Sequence, residues 1–524
     1  METIQFIFTA LAAVWLFNWA IKRRFQLPLP PGPKGLPLVG NLFEMPRDFP
    51  WEKYHEWCKE YNTDTLHLYA AGKHIIVLDS PQAAADLLDK RSLIYSGRPR
   101  LPMIKELMGW DWFFGFRNYD ETCRLHRKLI NQAFNPTAVN QFIPQIKRAT
   151  RNMLGLFLED PEKLEGNLRR MAGETIMSVS YGIKIQKNDD FYVKTAEQGV
   201  SPALHIVGNP GAFLVDTIPI LKYVPSWFPG AGFKTKAKEW KRLSKVMLEV
   251  PFKAAKAAIA DGSASISLVS ANLDRLEALG QNDSAQEQAV KEVAGGLYAV
   301  GIDTTVSPIV SCILALVKNP AVLKRAQAEL DSVIEPGRFP DLSDEPALPY
   351  ITAIVHESFR WRDVSPQALP HCLIKEDEYN GYRIPAGSIV IANSWALLHN
   401  EDIYPDPFAF NPDRFMKEGK LDFQSQRDPS FACWGYGRRK CPGRYMAYPA
   451  VWLAITHLLY CFDIMRAKDE YGNDIDPPEE FISALTIMAK PFKYDLKPRS
   501  EDIEKLIQQG LSAEVDFREF DGDH

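Results

Sequence analysis

Apolar and polar positions divide this chain into stretches of different kinds. The first, "TIQFIFTALAAVWLFNWAI" (Thr3–Ile21), holds no charge, and Lys22, Arg23 and Arg24 follow at once. As a helix it is roughly 28 Å long, about one hydrocarbon core. Trp15 and Trp19 suit an interface, and the cations predict a cytoplasmic C-terminal side. A cleaved signal peptide carries its cations before the apolar run, where this chain has only Met1 and Glu2. The pattern predicts a retained anchor over residues 1–26. "LPLPPGPKGLPLVGN" (residues 27–41) is a proline-rich hinge, since its prolines favour extended, stiff chain over helix. Residues 42–524 are expected to form a single domain.

Within that domain, "TLHLYAAGKHIIVLD" (Thr65–Asp79) alternates like paired strands with Gly72 at the turn. "KEVAGGLYAVGIDTTVSPIVSCILALVKN" (Lys291–Asn319) is apolar on every face and predicts one long buried helix. "PAVLKRAQAELDSVI" is an amphipathic helix with Pro320 at its start. "DEYNGYRIPAGSIVIANSWAL" returns to strands. The fold expected is mainly α with small β-sheets. In "YVPSWFPGAGFKTKAKEW" (Tyr223–Trp240), Trp227 and Phe228 precede a set of lysines, which fits either a loop that dips into a bilayer surface or a buried loop.

Composition excludes some classes. A 46% hydrophobic and 24% charged chain is ordinary for a globular protein, and a net charge of −5 offers no field for nucleic acid. The 7 cysteines are scattered without a CxxC pair, so neither a zinc ribbon nor a disulfide framework is indicated. That usage fits a reducing compartment.

Candidate chemistry gathers in four places. Glu357 and Arg360, in "HESFRW", share a helix face, and Arg414 of "NPDRF" is positioned to complete a buried acid–base set. Asp303, in "GIDTT", is an acid inside an apolar helix, costly without a role. Pro308 lacks the N–H that would bond the Thr304 carbonyl, so a kink is expected there. Finally, "FACWGYGRRKCPGR" surrounds Cys441 with glycines and cations.

In this order these motifs resemble the cytochrome P-450 family of heme-thiolate monooxygenases, over nearly the whole chain. The stretches "ELMGW" and "SWFPGAGFK" are similar to fungal microsomal members of secondary metabolism, of basidiomycete type. The resemblance implies heme b (iron protoporphyrin IX) with Cys441 as axial thiolate ligand, which favours O–O cleavage. It implies propionate contacts from Arg439, Arg127, Arg124 and His371, and proton delivery to dioxygen by Asp303 and Thr304. Glu357, Arg360 and Arg414 would be structural. Two positions depart from the family pattern. Cys123 replaces a tryptophan whose indole serves a propionate, and Trp434 replaces a phenylalanine. The Trp434 N–H is expected to donate to the cysteine sulfur and raise the iron potential.

The resemblance also implies an endoplasmic-reticulum membrane protein with a cytosolic domain. Its electrons come from an NADPH–cytochrome reductase docking near Arg438, Lys440 and Arg444. The aromatic segment "LMGWDWFFGF" (Leu107–Phe116), Val364 and the region of Leu485 suit a small lipophilic substrate, a terpenoid or a neutral aromatic polyketide. A cationic amine finds no acid in that loop beyond Asp111. Hydroxylation, desaturation, ring-forming coupling and multistep oxidation all stay within this chemistry. A different class, a heme-binding sensor or scaffold without turnover, is opposed by intact Asp303, Thr304 and Cys441 and kept open by Cys123, Pro308 and Trp434.

Overall fold

A computed structural model describes residues 27–186, 190–208, 212–281 and 283–520, with side chains to residue 511. The anchor expected over residues 1–26 lies outside the described residues. Among those described, helices dominate and the sheets are small.

The early alternating run forms β1 (Thr65–Ala70) and β2 (Lys73–Leu78), paired antiparallel. Ala71 and Gly72 turn the chain with φ of 46° and 87°. That left-handed backbone is easy for glycine and strained for alanine. Next in chain order come α1 (Glu121–Phe134), α2 (Ile143–Glu159), α3 (Leu164–Tyr181), α4 (Gly232–Ala260), α5 (Ser284–Gly301), α6 (Asp303–Lys318) and α7 (Pro349–Trp361). Then follow β3 (His371–Cys372), β4 (Ile389–Ala392) and α8 (Arg444–Cys461). β4 joins β2 in parallel and β3 antiparallel, with His371 opposite Val390. The sheet thereby fixes where His371 stands.

Lys291–Asn319 was expected to be one helix; the structure makes two. The break falls at Ile302 (φ −80°, ψ −66°). Thr304 Oγ1 donates to the Val300 carbonyl at 2.6 Å and Thr305 Oγ1 to that of Gly301 at 2.7 Å. Hydroxyls thus take acceptors that backbone amides would use, a known way of bending helices. Pro308 adds its missing donor one turn later. Ser284–Lys318 is long and apolar enough to cross a membrane, but 78% of its most apolar window is buried inside the protein. It is the central core span: α5 packs on α1, α3 and α4, and α6 on α7 and α8.

The segment before α4 is not a buried loop. Trp227 is 79% exposed, and Tyr223, Ile220 and Leu214 are exposed beside it. Its inner side is tied to the loop near residue 105. Asp216 accepts the Met103 N–H at 2.9 Å, and Lys222 reaches Glu106, which also holds Arg100. Burial pushes the Asp216 carboxyl up to about 6; the Met103 N–H and Lys73 oppose the shift, and Glu106 adds to it. A folded value above the unfolded 3.8 means that the stability this carboxyl contributes is fully present below about pH 4 and is lost as pH rises through about 6. Asp216→Asn is therefore expected to raise the melting temperature at pH 7 and leave it unchanged at pH 4. Melting curves at the two pH values, with a ceiling of about 3 kcal/mol from linkage, check this.

Candidate active site

The cysteine loop turns on two glycines in left-handed backbone, Gly435 (φ 73°) and Gly437 (φ 49°). At Gly437 no side chain fits, since a Cβ would come within 2.1 Å of the Leu88 carbonyl. The turn brings the Cys441 N–H onto the Trp434 carbonyl at 2.7 Å. Cys441 stands just ahead of α8, whose N-terminus favours an anion. Burial pushes its thiol up. The N–H groups of Gly443 and Arg444 and the charges of Arg127 and Arg444 pull the other way, each favouring a thiolate.

Beside this loop lies a cluster of cations. Arg439 donates to the carbonyls of Ser96 (2.7 Å) and Arg117 (2.7 Å), and to Cys123 Sγ at 3.3 Å. Arg127 donates to the Lys440 carbonyl at 2.7 Å. Arg98, absent from the sequence reading, donates to the carbonyls of Gly115, Leu369 and Pro370. His371 Nδ1 lies 2.8 Å from the Tyr95 carbonyl. Burial, then the charges of Arg98 and Arg439, hold its imidazole well below its ordinary value. Burial also lowers Arg98, Arg127 and Arg439. Among the described residues none of these arginines meets a carboxylate. Arg439 is buried and Arg98 and Arg127 are half-buried; cations withdrawn from water without anions are costly, so the set fits a ligand carrying its own carboxylates. The two propionates of heme have that chemistry.

Arg124 is elsewhere. Its side chain is 53% exposed, with Glu121 3.8 Å away. Cys123 and Arg127, one turn apart, share the inner face of α1; Arg124 is rotated off it. At Cys123 the polarity is reversed relative to an indole donor, because its sulfur accepts from Arg439.

On the other side of the site, Thr304 is exposed at the helix break, and Asp303 lies 2.7 Å from Arg169, which also pairs with Glu165. Trp110, Trp112, Phe113 and Phe114 are all buried, with Trp110 stacked on Trp112 at 5.1 Å and Phe113 tilted on Phe114 at 5.0 Å. They rest on α5 at Gly295 and Gly296. A Cβ at Gly296 would come within 2.5 Å of the Phe114 ring. Val364 is buried, and its carbonyl accepts the Ile487 N–H at 3.1 Å.

Residues 30–496 match the cytochrome P450 family. The chain belongs to that family. Curated relatives agree along the whole length. Cytochrome P450 monooxygenase 98 of Postia placenta is 42% identical over 94% of this chain and 95% of its own. Tryptamine 4-monooxygenase of Psilocybe cyanescens is 39% identical over 91% of this chain and 94% of its own. Cytochrome P450 monooxygenase ple1 of Rhodocybe pseudopiperita is 39% identical over 95% of each. A zebrafish cytochrome P450 solved with abiraterone shares the fold, with a TM-score of 0.68 at 21% identity, covering 86% of this chain and all of that one. The family is one of heme monooxygenases, and heme is its cofactor.

Away from the cysteine loop, this P450 chain buries a complete acid–base set. Arg360 grips Glu357 through two N–H donors at 2.7 and 2.8 Å. Arg414 Nε donates to Glu357 at 3.2 Å, and the Asn411 N–H donates to the same carboxylate at 2.8 Å. The remaining Arg360 donors take the carbonyls of Leu398, Pro407 and Ala409. The set holds the chain between α7 and the cysteine loop in register. The member that sequence reasoning missed, Arg98, follows Gly97 in a coil and has no helical periodicity to mark it. Its role emerges only from tertiary neighbours.

Proposed function

We propose that this protein is a membrane-bound cytochrome P-450 monooxygenase that oxidises a small lipophilic secondary metabolite with dioxygen. Electrons would come from NADPH through a reductase. The observation that carries the reading is Cys441 just ahead of α8, beside buried Arg439 and half-buried Arg98 and Arg127, none of which meets a carboxylate among the described residues. Arg98, Arg127, Arg439 and His371 would hold the heme propionates, and Cys441 the iron. Heme bound there supplies the activation of dioxygen. Thr304 Oγ1, whose hydrogen is spent on Val300, keeps lone pairs to accept from a water or a substrate-side hydroxyl. Asp303, held at 2.7 Å by Arg169, which also engages half-buried Glu165, would be the acid that passes protons from solvent toward Thr304.

The aromatic loop supports a neutral, lipophilic substrate, with a terpenoid preferred. Asp111 is exposed, and Asp303 is engaged by Arg169, so neither serves a cationic amine of the kind that the Psilocybe relative's name implies. Residues 1–26 would be the anchor in the endoplasmic-reticulum membrane, 27–41 the hinge and 42–524 the cytosolic catalytic domain. Exposed Leu36, Leu38, Phe43, Ile220, Tyr223 and Trp227 support a surface that meets lipid. For the reductase, Arg438 and Lys440 remain candidates. Arg444 turns inward to the Cys441 carbonyl and Tyr445.

The reduced, carbon-monoxide-bound spectrum tests the reading. A strongly red-shifted Soret band, absent in Cys441→Ser, is the expected result, together with substrate-dependent NADPH consumption. An imidazole-like band position would overturn the thiolate assignment and leave the heme-sensor reading.

A further inference from the structure

His126 has no part in the site described so far, yet it precedes Arg127 in α1 and is 0% exposed. Its Nε2 lies 3.2 Å from Glu292 Oε2, and neither ring nitrogen has any other partner among the described residues. Glu292 belongs to α5, and its side chain is only 12% exposed. Its other oxygen accepts the Gln288 Nε2–H at 2.8 Å. Burial pushes this carboxyl up, but His126 and Gln288, with the charge of Arg117, outweigh burial and hold it below its ordinary value. An ionised carboxylate only accepts, so the facing Nε2 carries hydrogen. Polar groups this deep are costly unless each satisfies the other.

The two helices that this pair joins carry different parts of the site. Successive residues of a helix point about 100° apart. In α1, Cys123 and Arg127 face the cysteine loop, where they meet Arg439 at 3.3 Å and the Lys440 carbonyl at 2.7 Å. His126 faces α5 instead. In α5, Glu292 shares a face with Gly295 and Gly296, one turn on, against which Trp112 and Phe114 rest. Two polar anchors on neighbouring residues, set at a wide angle, fix the rotation of α1 about its own axis. Apolar packing fixes rotation less sharply, because the hydrophobic effect is non-directional. A helix freed from one anchor can roll, and the tip of a long arginine then travels farthest.

We infer that His126 and Glu292 are positioning residues that hold α1 at the rotation in which Arg127 serves a heme propionate, given that Arg127 has that role as proposed above. A histidine that merely fills core space needs no carboxylate 3.2 Å from its ring. The pair also ties the helix bearing the cations to the helix that supports the aromatic loop.

The test is the rate at which the full-length, heme-loaded protein gives up its heme to excess apomyoglobin. Arg127→Ala should release heme about tenfold faster than the parent, through the loss of one charge-assisted hydrogen bond. His126→Leu should release it several-fold faster, and should add nothing in the Arg127→Ala background, because its effect passes through that arginine. His126→Gln keeps an N–H for Glu292 and should recover most of the parental hold. With Arg127→Ala fast, three outcomes each overturn the inference and leave Arg127 a propionate residue: no acceleration by His126→Leu, equal acceleration in both backgrounds, or no recovery in His126→Gln. An Arg127→Ala variant that holds heme like the parent overturns the propionate reading, and the inference falls with it. Should His126→Leu not fold, Glu292→Leu, at the less buried partner, takes its place in the same comparison.

Discussion

Glu357→Ala is expected to yield no stably folded protein at growth temperature. The carboxylate is fully buried and accepts from Arg360, Arg414 and the Asn411 N–H. Without it, two guanidinium groups stay in the interior with no counter-charge. Removing one partner of a buried pair costs about 3–5 kcal/mol, against a total stability of about 5–15 kcal/mol. Two stranded cations put the loss at the upper end. Glu357→Gln keeps the shape and one acceptor, so it should fold with reduced stability. Arg360→Lys should resemble the alanine variant more than the glutamine one, because lysine cannot replace a fork that serves Glu357 and three carbonyls at once. Soluble yield, far-ultraviolet circular dichroism and thermal melting of the three variants check this. Full stability in Glu357→Ala would mean that the set contributes little.

The second large effect is expected in turnover, not in folding. Thr304→Ala and Asp303→Asn should keep heme content and the spectrum of the parent, yet lower product formation by about 10²–10⁴-fold, the range for a lost proton-transfer group. NADPH should still be consumed, its electrons appearing as hydrogen peroxide in place of product. The two variants differ in one respect. Among the described residues the Thr304 hydroxyl hydrogen-bonds the Val300 carbonyl alone, whereas Asp303 holds the charged Arg169 at 2.7 Å. Asp303→Asn should therefore also lower thermal stability, and Thr304→Ala should not. Product yield per NADPH measures the first effect and melting the second. Unchanged yield in both variants would remove these residues from proton delivery.

Much of the fold is legible in the chain because its signals are local. The β1–β2 hairpin follows from alternation about Gly72, and the central apolar span from uninterrupted hydrophobicity. The division of that span at Ile302 was less visible. Pro308 announces a kink, but the break itself needs two threonine hydroxyls to take the carbonyls of Val300 and Gly301, a competition that hydrophobic pattern does not encode. Arg124 was no easier to place. It lies three residues from Arg127, so helical periodicity makes the two neighbours, and only its exposure and its pairing with Glu121 set it apart. Arg98 and His126 could not be read at all, since each acquires its neighbours from segments far along the chain.

Gly295 and Gly296 have a consequence beyond fitting two rings. The aromatic loop stands on α5 at a clearance set by hydrogen atoms, the smallest spacers a polypeptide possesses. One methyl group at Gly296 would have to lift Phe114, and the Phe114 carbonyl lies 3.5 Å from Arg439. The position of the aromatic loop and the hold on Arg439 are therefore one adjustment. If that loop roofs the chamber and Arg439 grips the prosthetic group, as proposed, a lineage that changes this spacer to admit a larger guest would loosen or tighten that grip at the same time.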